Sequence, residues 1–528
     1  MLKCKSCQFY ILLFFISTFI DSTVVMAQAQ FIQKCLGGFS EEQGSGIRET
    51  PDGGFIVCGF KESNNGDVAC SHIGIDGWLV KLDGALNIQW QKCFSGNSSA
   101  RFICLDITTD NGFIIGGETS GGGSTLCTGH GNTDYWIIKT DSLGNTLWQN
   151  CFGGSEDDLI NDIHQTFDGG YILAGTSYSL DGDVGSGFGN GDFWILKLDS
   201  SGSILWTKTY GGFGSETCFS ISETPDHKYV ACGRATFDSG DVIGTHGYND
   251  CWVIKIDSIG NLIWQKALGG SLNDVAGDLS IDVNGDIVII AEASSSDGDI
   301  SMNHGGWDTW IVKLNSGGNI IWEKTYGGSS YDSGRSLTRA ADGGYMLLSS
   351  GSSIDGDAYC SYGSQFWFTK IDSNGIFEFE KCLGGSDFDI PKRIISTTDS
   401  GFAAIGYTFS NDGDVSGNHT PCINTLCTDM WVLKLNKELV SIDENLFGQI
   451  KFEVYPNPFY GFIILKTDVS RNIEINLHNS IGELVFKKNA LTNQAINLSF
   501  LDDGIYFLDS PDLQFAFRMK IVKIGEGY

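Results

Sequence analysis

The sequence has little positive charge. Its 528 residues contain 33 lysines and arginines against 64 aspartates and glutamates, which gives a formal net charge of -31 at pH 7. Nucleic acids and anionic membranes are bound by basic surfaces, so this balance argues against both as partners. Disorder does not follow from the charge, because 41% of the residues are apolar and patterned well enough to build a core.

Signals for helices and for membrane spans are also lacking. No copy of the repeat described below has a ten-residue stretch with helical periodicity, which favours an all-β fold. The apolar run Tyr10–Ile20 is too short to span a bilayer, and no later run is longer. Lys3 and Lys5 precede this run and the small-residue segment Val25–Ala29 follows it. Residues 1–29 are therefore predicted to be a secretory signal peptide, and the processed protein to be soluble.

A repeat of 58 residues dominates the rest of the chain. Gly-Gly pairs start six copies, Ser95-Gly96 starts another, and a tryptophan keeps the same spacing. The copies start near residues 37, 95, 153, 211, 269, 327 and 384. Such a period is typical of propellers, solenoids and arrays. Since a feature found in every copy serves the copy itself, catalytic residues are sought among those that occur once.

One copy reads as four short strands. In the third copy we predict strands at Leu159–Thr166, Tyr171–Ser177, Phe193–Leu198 and Ile204–Tyr210, with Asp-Gly and Ser-Gly turns between some of them. Four antiparallel strands in about 58 residues fit one propeller blade. An independent all-β unit of this length would bury too little apolar surface to fold alone.

The two ends of the repeat array complement each other. The seventh copy reaches Trp431–Leu435 but lacks a fourth strand, while Phe31–Gly38 closely matches the copy end Phe379–Gly385. We expect the N-terminal strand to complete the last blade. Residues 30–436 are thus predicted to form a seven-bladed β-propeller closed by its N-terminal strand, which leaves no exposed sheet edge. An open β-solenoid is the alternative.

The C-terminal segment differs in character. Residues 437–449 are predicted to be a linker, and residues 450–528 a small C-terminal β-sandwich. The segment contains Tyr455-Pro456-Asn457-Pro458-Phe459, then Leu501-x-x-Gly504-Ile-Tyr506-Phe, and ends with Lys520-Ile-Val-Lys523. In these motifs and their order it resembles the C-terminal sorting domain of the Bacteroidetes type IX secretion system. The Gly- and Asp-rich repeats also resemble propeller repeats of secreted proteins from these bacteria.

The resemblance implies a destination. Such sorting domains direct passage across the outer membrane, so the protein is expected to travel through the periplasm and to be secreted or held at the cell surface. The type IX secretion machinery would be its partner. An accessory binding sandwich is the alternative for this segment.

Fourteen of the 16 cysteines follow the predicted signal peptide. An exported chain keeps suitable cysteine pairs oxidised. Cys422 with Cys427, and Cys218 with Cys232, are candidate disulfides, although sequence alone does not determine the connectivity. No Cys-x-x-Cys pair recurs after the signal peptide, so a zinc site has little support.

The long segment between the second and third strands carries the repeated polar residues. It contains Asp-Gly-Asp, an acid two residues before the tryptophan, and a histidine in four copies. The candidate binding residues are Asp181, Asp183, Asp192, Asp297, Asp299, Asp308, His130, His246 and His304. Calcium is one interpretation of Asp181, Asp183, Asp297 and Asp299, and it is the only cofactor considered. Turn formation by aspartate is favoured over calcium, and loop-shaping hydrogen bonds over metal binding by the histidines.

Charged residues that occur once are the remaining candidates for chemistry. Arg101, Arg335, Arg339, Glu118, Glu292 and Asp332 fall near first and second strands. A pair of the acids could hydrolyse a glycoside, but no nucleophile motif such as Gly-x-Ser-x-Gly is present. No catalytic residue is predicted. The sequence predicts an exported, non-catalytic propeller scaffold that binds glycan or protein. A secreted polysaccharide hydrolase or lyase and a structural surface protein are the alternatives.

Overall fold

The structure is a computed structural model. It describes residues 31–96, 99–120, 130–360, 363–419, 427–436, 453–466, 472–479, 484–491, 494–509 and 518–524. The predicted signal peptide and linker lie outside these residues. The described part of the chain contains 37 strands and no helix, so it contains no helix that could cross a membrane. The prediction of an all-β protein is confirmed.

Most strands belong to seven four-stranded antiparallel sheets, named S1 to S7 in chain order. The first strand, β1 (Phe31–Leu36), belongs to the last of them. S1 contains β2 (Glu42–Glu49), β3 (Phe55–Lys61), β4 (Asp76–Leu82) and β5 (Ile88–Phe94). S2 contains β6 (Ala100–Ile107), β7 (Phe113–Ser120), β8 (Thr133–Thr140) and β9 (Thr146–Phe152). S3 contains β10 (Asp158–Gln165), β11 (Tyr171–Ser177), β12 (Asp192–Leu198) and β13 (Ile204–Tyr210).

The remaining sheets repeat this order. S4 contains β14 (Thr217–Glu223), β15 (Tyr229–Ala235), β16 (Asp250–Ile256) and β17 (Leu262–Leu268). S5 contains β18 (Asp274–Ile281), β19 (Ile287–Ala293), β20 (Asp308–Leu314) and β21 (Ile320–Tyr326). S6 contains β22 (Asp332–Arg339), β23 (Tyr345–Gly351), β26 (Gln365–Ile371) and β27 (Phe377–Leu383), and the hairpin β24 (Ile354–Asp355) and β25 (Ala358–Tyr359) interrupts it. S7 contains β28 (Asp389–Ser396), β29 (Phe402–Thr408), β30 (Asp429–Leu435) and β1.

The strands of S3 show why the repeat folds this way. The observed β11 and β13 have the predicted bounds, and β10 and β12 begin one residue earlier. All residues of β11 and β12 are buried, whereas β13 is mostly half-buried or exposed. The two central strands are therefore covered on both faces, which is why they are continuous apolar runs rather than alternating ones.

The N-terminal strand pairs with the last copy of the repeat, as predicted. β1 runs antiparallel to β30, with Phe31 opposite Leu435 and Leu36 opposite Met430. The side chains reinforce the pairing, because Trp431 Nε1 donates a hydrogen bond of 2.8 Å to Gln33 Oε1. S7 is thus built from residues at both ends of the repeat array.

The first strands of the sheets lie next to one another. We call β2, β6, β10, β14, β18, β22 and β28 the inner strands. Each contacts the next in this order, and β28 also contacts β2. The repeated tryptophans pack between sheets: Trp194 of S3 lies against Tyr135 of S2 with ring centroids 4.5 Å apart. Each buried aromatic ring contributes a large apolar area to these contacts.

Two disulfides link a long loop to the fourth strand of the same sheet, Cys70–Cys93 and Cys360–Cys382. The predicted Cys218–Cys232 pair is wrong, and both thiols are free and buried. In the β14–β15 ladder Ser220 is opposite Cys232 and Cys218 is opposite Gly233, so the two cysteines do not face each other. Cys427 is disulfide-bonded, and its proposed partner Cys422 lies outside the described residues.

The C-terminal segment forms two small sheets. One contains β31 (Glu453–Tyr455), β32 (Phe462–Lys466) and β35 (Ala495–Asn497). The other contains β33 (Asn472–His478), β34 (Leu484–Leu491), β36 (Gly504–Asp509) and β37 (Arg518–Lys523). Ile463 and Leu465 from the first sheet share a buried cluster with Ile475, Leu477 and Leu508 from the second. This packing is that of the predicted sandwich.

Candidate functional site

The repeated Asp-Gly-Asp segments fasten the long loops to the preceding Gly-Gly pairs. Asp181 Oδ1 accepts a hydrogen bond of 2.7 Å from the backbone N–H of Ser155, and Asp297 Oδ1 accepts one of 2.8 Å from Ser271. The second aspartate of each segment donates a hydrogen bond from its backbone N–H. The backbone N–H of Asp183 donates to the carbonyl of Gly153 at 2.9 Å. Asp299 makes the same contact with the equivalent glycine of its own copy.

These hydrogen bonds bear on whether the four aspartates could bind calcium. The four carboxylates considered as calcium ligands are already used as acceptors by backbone N–H groups of the loops. Within the described ranges, no group of three or more histidine, cysteine, aspartate or glutamate side chains could hold a metal ion. The residues do not form a ready calcium cage, so calcium binding at them stays a prediction.

The acid before each tryptophan is buried where two sheets meet. Asp192 and Asp308 are 2% and 0% exposed. A Cβ atom placed on Gly211 would lie 2.1 Å from Asp192 Oδ1 and 2.9 Å from Glu216 Oε2, so both carboxyls crowd this glycine. Burial raises the pKa of Asp192 to about 6 and that of Glu216 to about 7, and each nearby negative charge adds to the shift. Burial likewise raises the pKa of Asp308.

The three predicted histidines lie in the long loops of different sheets, each beside its own buried aspartate. The backbone N–H of His130 donates to Asp134 Oδ2 at 2.8 Å, and that of His246 donates to Asp250. His304 Nδ1 lies 2.9 Å from Asp308 Oδ2. The structure therefore does not bring them together. His419 has the same role beside Asp429, but ten residues separate this pair instead of four, which hid it from the repeat pattern.

The structure does bring together residues of the inner strands that the sequence pattern missed. Arg393 on β28 donates from Nη2 to Asp162 Oδ1 on β10 and from Nη1 to Asp278 Oδ1 on β18, both at 3.2 Å. β10 and β18 are not neighbours of β28 in the order of inner strands, so the guanidinium reaches across the space that the strands enclose. Ser220 Oγ bridges Asp162 and Asp278 at 3.0 Å each, and Ser336 Oγ donates to Asp278 Oδ2 at 2.7 Å. We call these five residues the inner cluster.

The inner cluster is buried, and its two carboxylates face Arg393 and, for Asp162, also the adjacent His164. The side chains of Asp162 and Asp278 are 1% and 6% exposed. Burial alone would raise the pKa of Asp162, but the charges of His164 and Arg393 outweigh it and hold the pKa far below its usual range. Burial alone would lower the pKa of His164, but Asp162 and Asp106 raise it to about 9, so this imidazole is protonated at neutral pH. Opposite charges thus replace water around each group.

A second set of charged residues lies nearer the loop end of the sheets, which we define as the end where the Gly-Gly pairs and long loops lie. Arg101 is opposite Glu118 in the β6–β7 ladder, and Arg335 Nη1 lies 3.6 Å from Glu292 Oε2. Lys392 Nζ lies 5.7 Å from the ring centre of Tyr407. We call this set the rim; it consists of Arg101, Glu118, Glu292, Arg335, Lys392 and Tyr407.

Four of the six single-occurrence residues are thus found in the rim. Arg339 lies at the other end of β22, beside the turn to β23. Asp332 was singled out wrongly, because it is the buried first-strand acid that most copies carry, equivalent to Asp158 and Asp274. Sequence could have shown this, since these acids follow the Gly-Gly pairs at a constant distance.

Three rim residues have perturbed acidities. Burial raises the pKa of Glu118 to about 7, although the charge of Arg101 opposes the shift. Surrounding protein atoms displace part of the water from the ammonium group of Lys392, and with the charge of Arg335 they lower its pKa, although the side chain keeps its access to solvent. Burial raises the pKa of Tyr407. Such shifts occur both at binding sites and in structural ion networks, so they mark the rim as a candidate and assign no role alone.

The motif at the start of the C-terminal sandwich contacts its last strand. Asn457 Oδ1 accepts a hydrogen bond of 2.9 Å from the backbone N–H of Val522, and Lys523 Nζ donates to the carbonyl of Ser499 at 3.0 Å. Tyr506 Oη donates to the carbonyl of Asp502 at 2.9 Å. Tyr455, Pro456 and Pro458 flank Asn457, Gly504 begins β36, and Lys520 lies within β37. The predicted motif residues therefore join the two ends of one domain.

Residues 453–523 match the family of secretion system C-terminal sorting domains. The match identifies the tail and implies export, with the protein secreted or at the cell surface and the secretion machinery as its partner. It covers the sorting domain only and leaves the function of S1 to S7 open.

The chain has a distant relative among characterised proteins. A segment of 181 residues is 24% identical to the regulatory protein FlaEY of Caulobacter vibrioides, and it covers 31% of this chain and 19% of that protein. The chain thus spans about a fifth of the length of this curated relative.

Similar solved structures include several propeller-like proteins. The WD40 domain of Pan2 from Neurospora crassa has a TM-score of 0.41 at 11% identity and covers 78% of this chain and 97% of that one. A PL25 ulvan lyase has a TM-score of 0.41 at 11% identity, with 72% and 97% covered. YCF48 bound to a D1 peptide has a TM-score of 0.39 at 9% identity, with 78% and 96% covered. At these scores the similarities carry no argument about ligand or activity.

Proposed function

We propose that the chain is an exported, non-catalytic binding scaffold. Its seven sheets are the blades of a seven-bladed β-propeller closed by β1. Its tail is a sorting domain of the type IX system of Bacteroidetes, which delivers the propeller to the cell surface or the medium. The propeller binds glycan or protein at its loop end.

Two contacts support the closed ring. β28 lies against β2, so the last inner strand neighbours the first, and β1 is hydrogen-bonded along its length to β30. A ring of this kind protects every sheet edge without an additional capping element.

The observation that carries the binding role is the contrast between the inner cluster and the rim. The charged groups of the inner cluster are engaged with one another across the space between the inner strands. The rim presents charged and aromatic side chains that most copies lack, on a frame whose other features repeat. Ligand sites in propellers and other rigid scaffolds are built in this way, from variable side chains on a constant framework.

Export is tested by deleting residues 453–523 from a tagged chain expressed in a bacterium that has the type IX system. We expect the truncated protein to remain in the periplasm while the full chain reaches the surface or medium. Fractionation followed by immunoblotting measures this. Secretion of the truncated protein at the full-length rate would contradict the sorting role.

Binding is tested with the purified chain on a glycan array, combined with incubation of each bound polymer and a reducing-end assay. We expect retention on a subset of glycans with no release of reducing ends. Release of reducing ends or of unsaturated sugars would contradict a non-catalytic role.

The hydrolase or lyase alternative is favoured by one observation, the rim carboxyl of Glu118. Its pKa of about 7 leaves a large protonated fraction at neutral pH, which a general acid needs. If the polymer assay detects products, Glu118→Gln is expected to abolish them. Glu49→Gln, at the opposite end of an inner strand, is the matched control.

A further inference from the structure

The rim holds two cations close together in a chain that is otherwise strongly acidic. Arg335 and Lys392 occupy equivalent positions on the neighbouring strands β22 and β28. Each is the extra residue of a β-bulge, which turns its side chain away from the regular ladder. Both side chains are exposed. Two like charges on neighbouring strands repel each other, and an anion bound between them relieves the repulsion.

Neither cation is neutralised by a tight partner. The structure shows no ion pair for Lys392 within the described residues. Its ammonium group lies over the face of Tyr407 and near the like charge of Arg335. Arg335 approaches Glu292 at 3.6 Å, which is beyond hydrogen-bond distance, and its side chain is 45% exposed. The acids beneath them cannot compensate, because Asp162 and Asp278 are already engaged by Arg393.

Exposed aromatic rings lie at the loop end of the same sheets. Tyr331 lies just before β22, is 59% exposed, and stacks on Trp307 with ring centroids 6.5 Å apart. Phe388 lies just before β28 and is 60% exposed. Exposed flat rings beside hydrogen-bonding groups suit the apolar faces of sugar rings, and exposed apolar patches of this kind mark interaction sites.

We propose that the rim, at Arg335, Lys392 and Tyr407, binds an acidic sugar unit of an anionic polysaccharide. The guanidinium and ammonium groups would receive a carboxylate or sulfate group, and the aromatic rings would hold the neighbouring sugar faces. This inference rests on the proposed binding function and specifies its ligand class. An acidic peptide would satisfy the cations but would make no use of the ring faces.

The inference is tested with the purified chain and four polymers. Polygalacturonate carries carboxylates, κ-carrageenan carries sulfates, dextran is neutral, and poly-L-glutamate represents an acidic peptide. The test variant is Arg335→Gln with Lys392→Gln. The matched control is Lys208→Gln with Lys324→Gln, which removes the same charge from exposed positions on the fourth strands β13 and β21.

We expect the wild-type chain and the control to bind polygalacturonate or κ-carrageenan, with affinity that falls as salt is added. The rim variant is expected to bind about tenfold or more weakly, as for the loss of two charge-assisted contacts. Dextran and poly-L-glutamate are expected to bind weakly to all three chains. Biolayer interferometry with immobilised protein measures each affinity.

Any of three results would overturn the inference. One is an equal loss of binding in the rim variant and the control, which would mean attraction by the general charge of the surface. Another is rim-dependent binding of poly-L-glutamate without binding of the polysaccharides. If a neutral glycan binds and the rim variant binds it equally well, this inference fails while the scaffold function stands. Product release from a bound polymer would instead contradict the scaffold function.

Discussion

Replacing Arg393 with methionine tests the inner cluster directly. The change removes the guanidinium that joins β28 to β10 and β18 but keeps an unbranched side chain that still fills much of the space. Asp162 and Asp278 are then left buried without their shared cation, although the Ser220 hydroxyl still lies 3.0 Å from each and can donate to one of them at a time. Removing one member of a buried ion pair costs about 3–5 kcal/mol, because the remaining charge is uncompensated.

The thermal effect follows from the size of the domain. Unfolding entropy is about 2 cal/mol/K per residue, so for a domain of about 400 residues a loss near 4 kcal/mol lowers the melting temperature by about 5 °C. The same loss appears as a lower midpoint in urea, with an unchanged slope if the unfolded state is the same.

The assay is urea unfolding followed by tryptophan fluorescence, supported by calorimetry. The control is Arg339→Met. Arg339 is half-buried, and the structure shows no ion pair for it among the described residues. A double-mutant cycle with Asp278→Asn isolates the pair, and a coupling energy of about 2 kcal/mol or more is expected. Equal losses for Arg393→Met and Arg339→Met, or a coupling energy near zero, would refute the reasoning.

Three further predictions follow from the junctions between sheets and from the disulfides. The raised pKa values of Asp192 and Glu216 mean that the folded chain binds protons more tightly than the unfolded one, so this stabilisation is present at acidic pH and is lost as pH rises through about 6 to 7. The melting temperature is therefore expected to be higher at pH 5 than at pH 8. The double variant Asp192→Asn with Glu216→Gln should flatten that dependence, by about 3 kcal/mol in unfolding free energy. An unchanged pH profile in the variant would contradict the assignment. Gly153→Ala is expected to destabilise the fold by about 2 kcal/mol because the new Cβ would meet a carboxylate oxygen at 2.0 Å, whereas Gly317→Ala, with its nearest contact at 3.3 Å, should be tolerated in the same urea assay. Peptide mass spectrometry after alkylation without reduction should recover the Cys70–Cys93 bond intact and should find Cys218 and Cys232 alkylated. A disulfide between Cys218 and Cys232 would contradict the structure.

The fold was predictable from sequence to the extent that it repeats. Turn residues and apolar runs recur seven times, so errors in one copy are corrected by the others, and β11 and β13 were located to the residue. The pairing of β1 with β30 was accessible for the same reason, because Phe31–Gly38 carries the signature of a fourth strand. The Cys218–Cys232 pair was wrong because the register set at the turn between β14 and β15 places Ser220, not Cys218, opposite Cys232, and the exact register was not evident from the sequence.

The site was less predictable because it is assembled from positions far apart in the chain. Arg393 is 231 residues from Asp162 and 115 from Asp278, and nothing local to any of them indicates the contact. The repeated acids attracted attention by their number, yet Asp181 and Asp297 serve the loops that contain them. Four of the six rim residues were noticed from the sequence as unrepeated, Lys392 and Tyr407 were not, and only the fold shows that all six lie toward the loop end of the sheets.

The junction between β30 and β1 has a consequence for engineering. In S3 the five residues Asp199–Ser203 connect the third strand to the fourth, whereas in S7 the corresponding strands have no covalent link, although Phe31 lies directly opposite Leu435. A turn of similar length inserted between these two residues would create an ordinary hairpin. The gene could then be reopened between any two sheets, so that circular permutants place new termini, and any fused cargo, beside a chosen sheet.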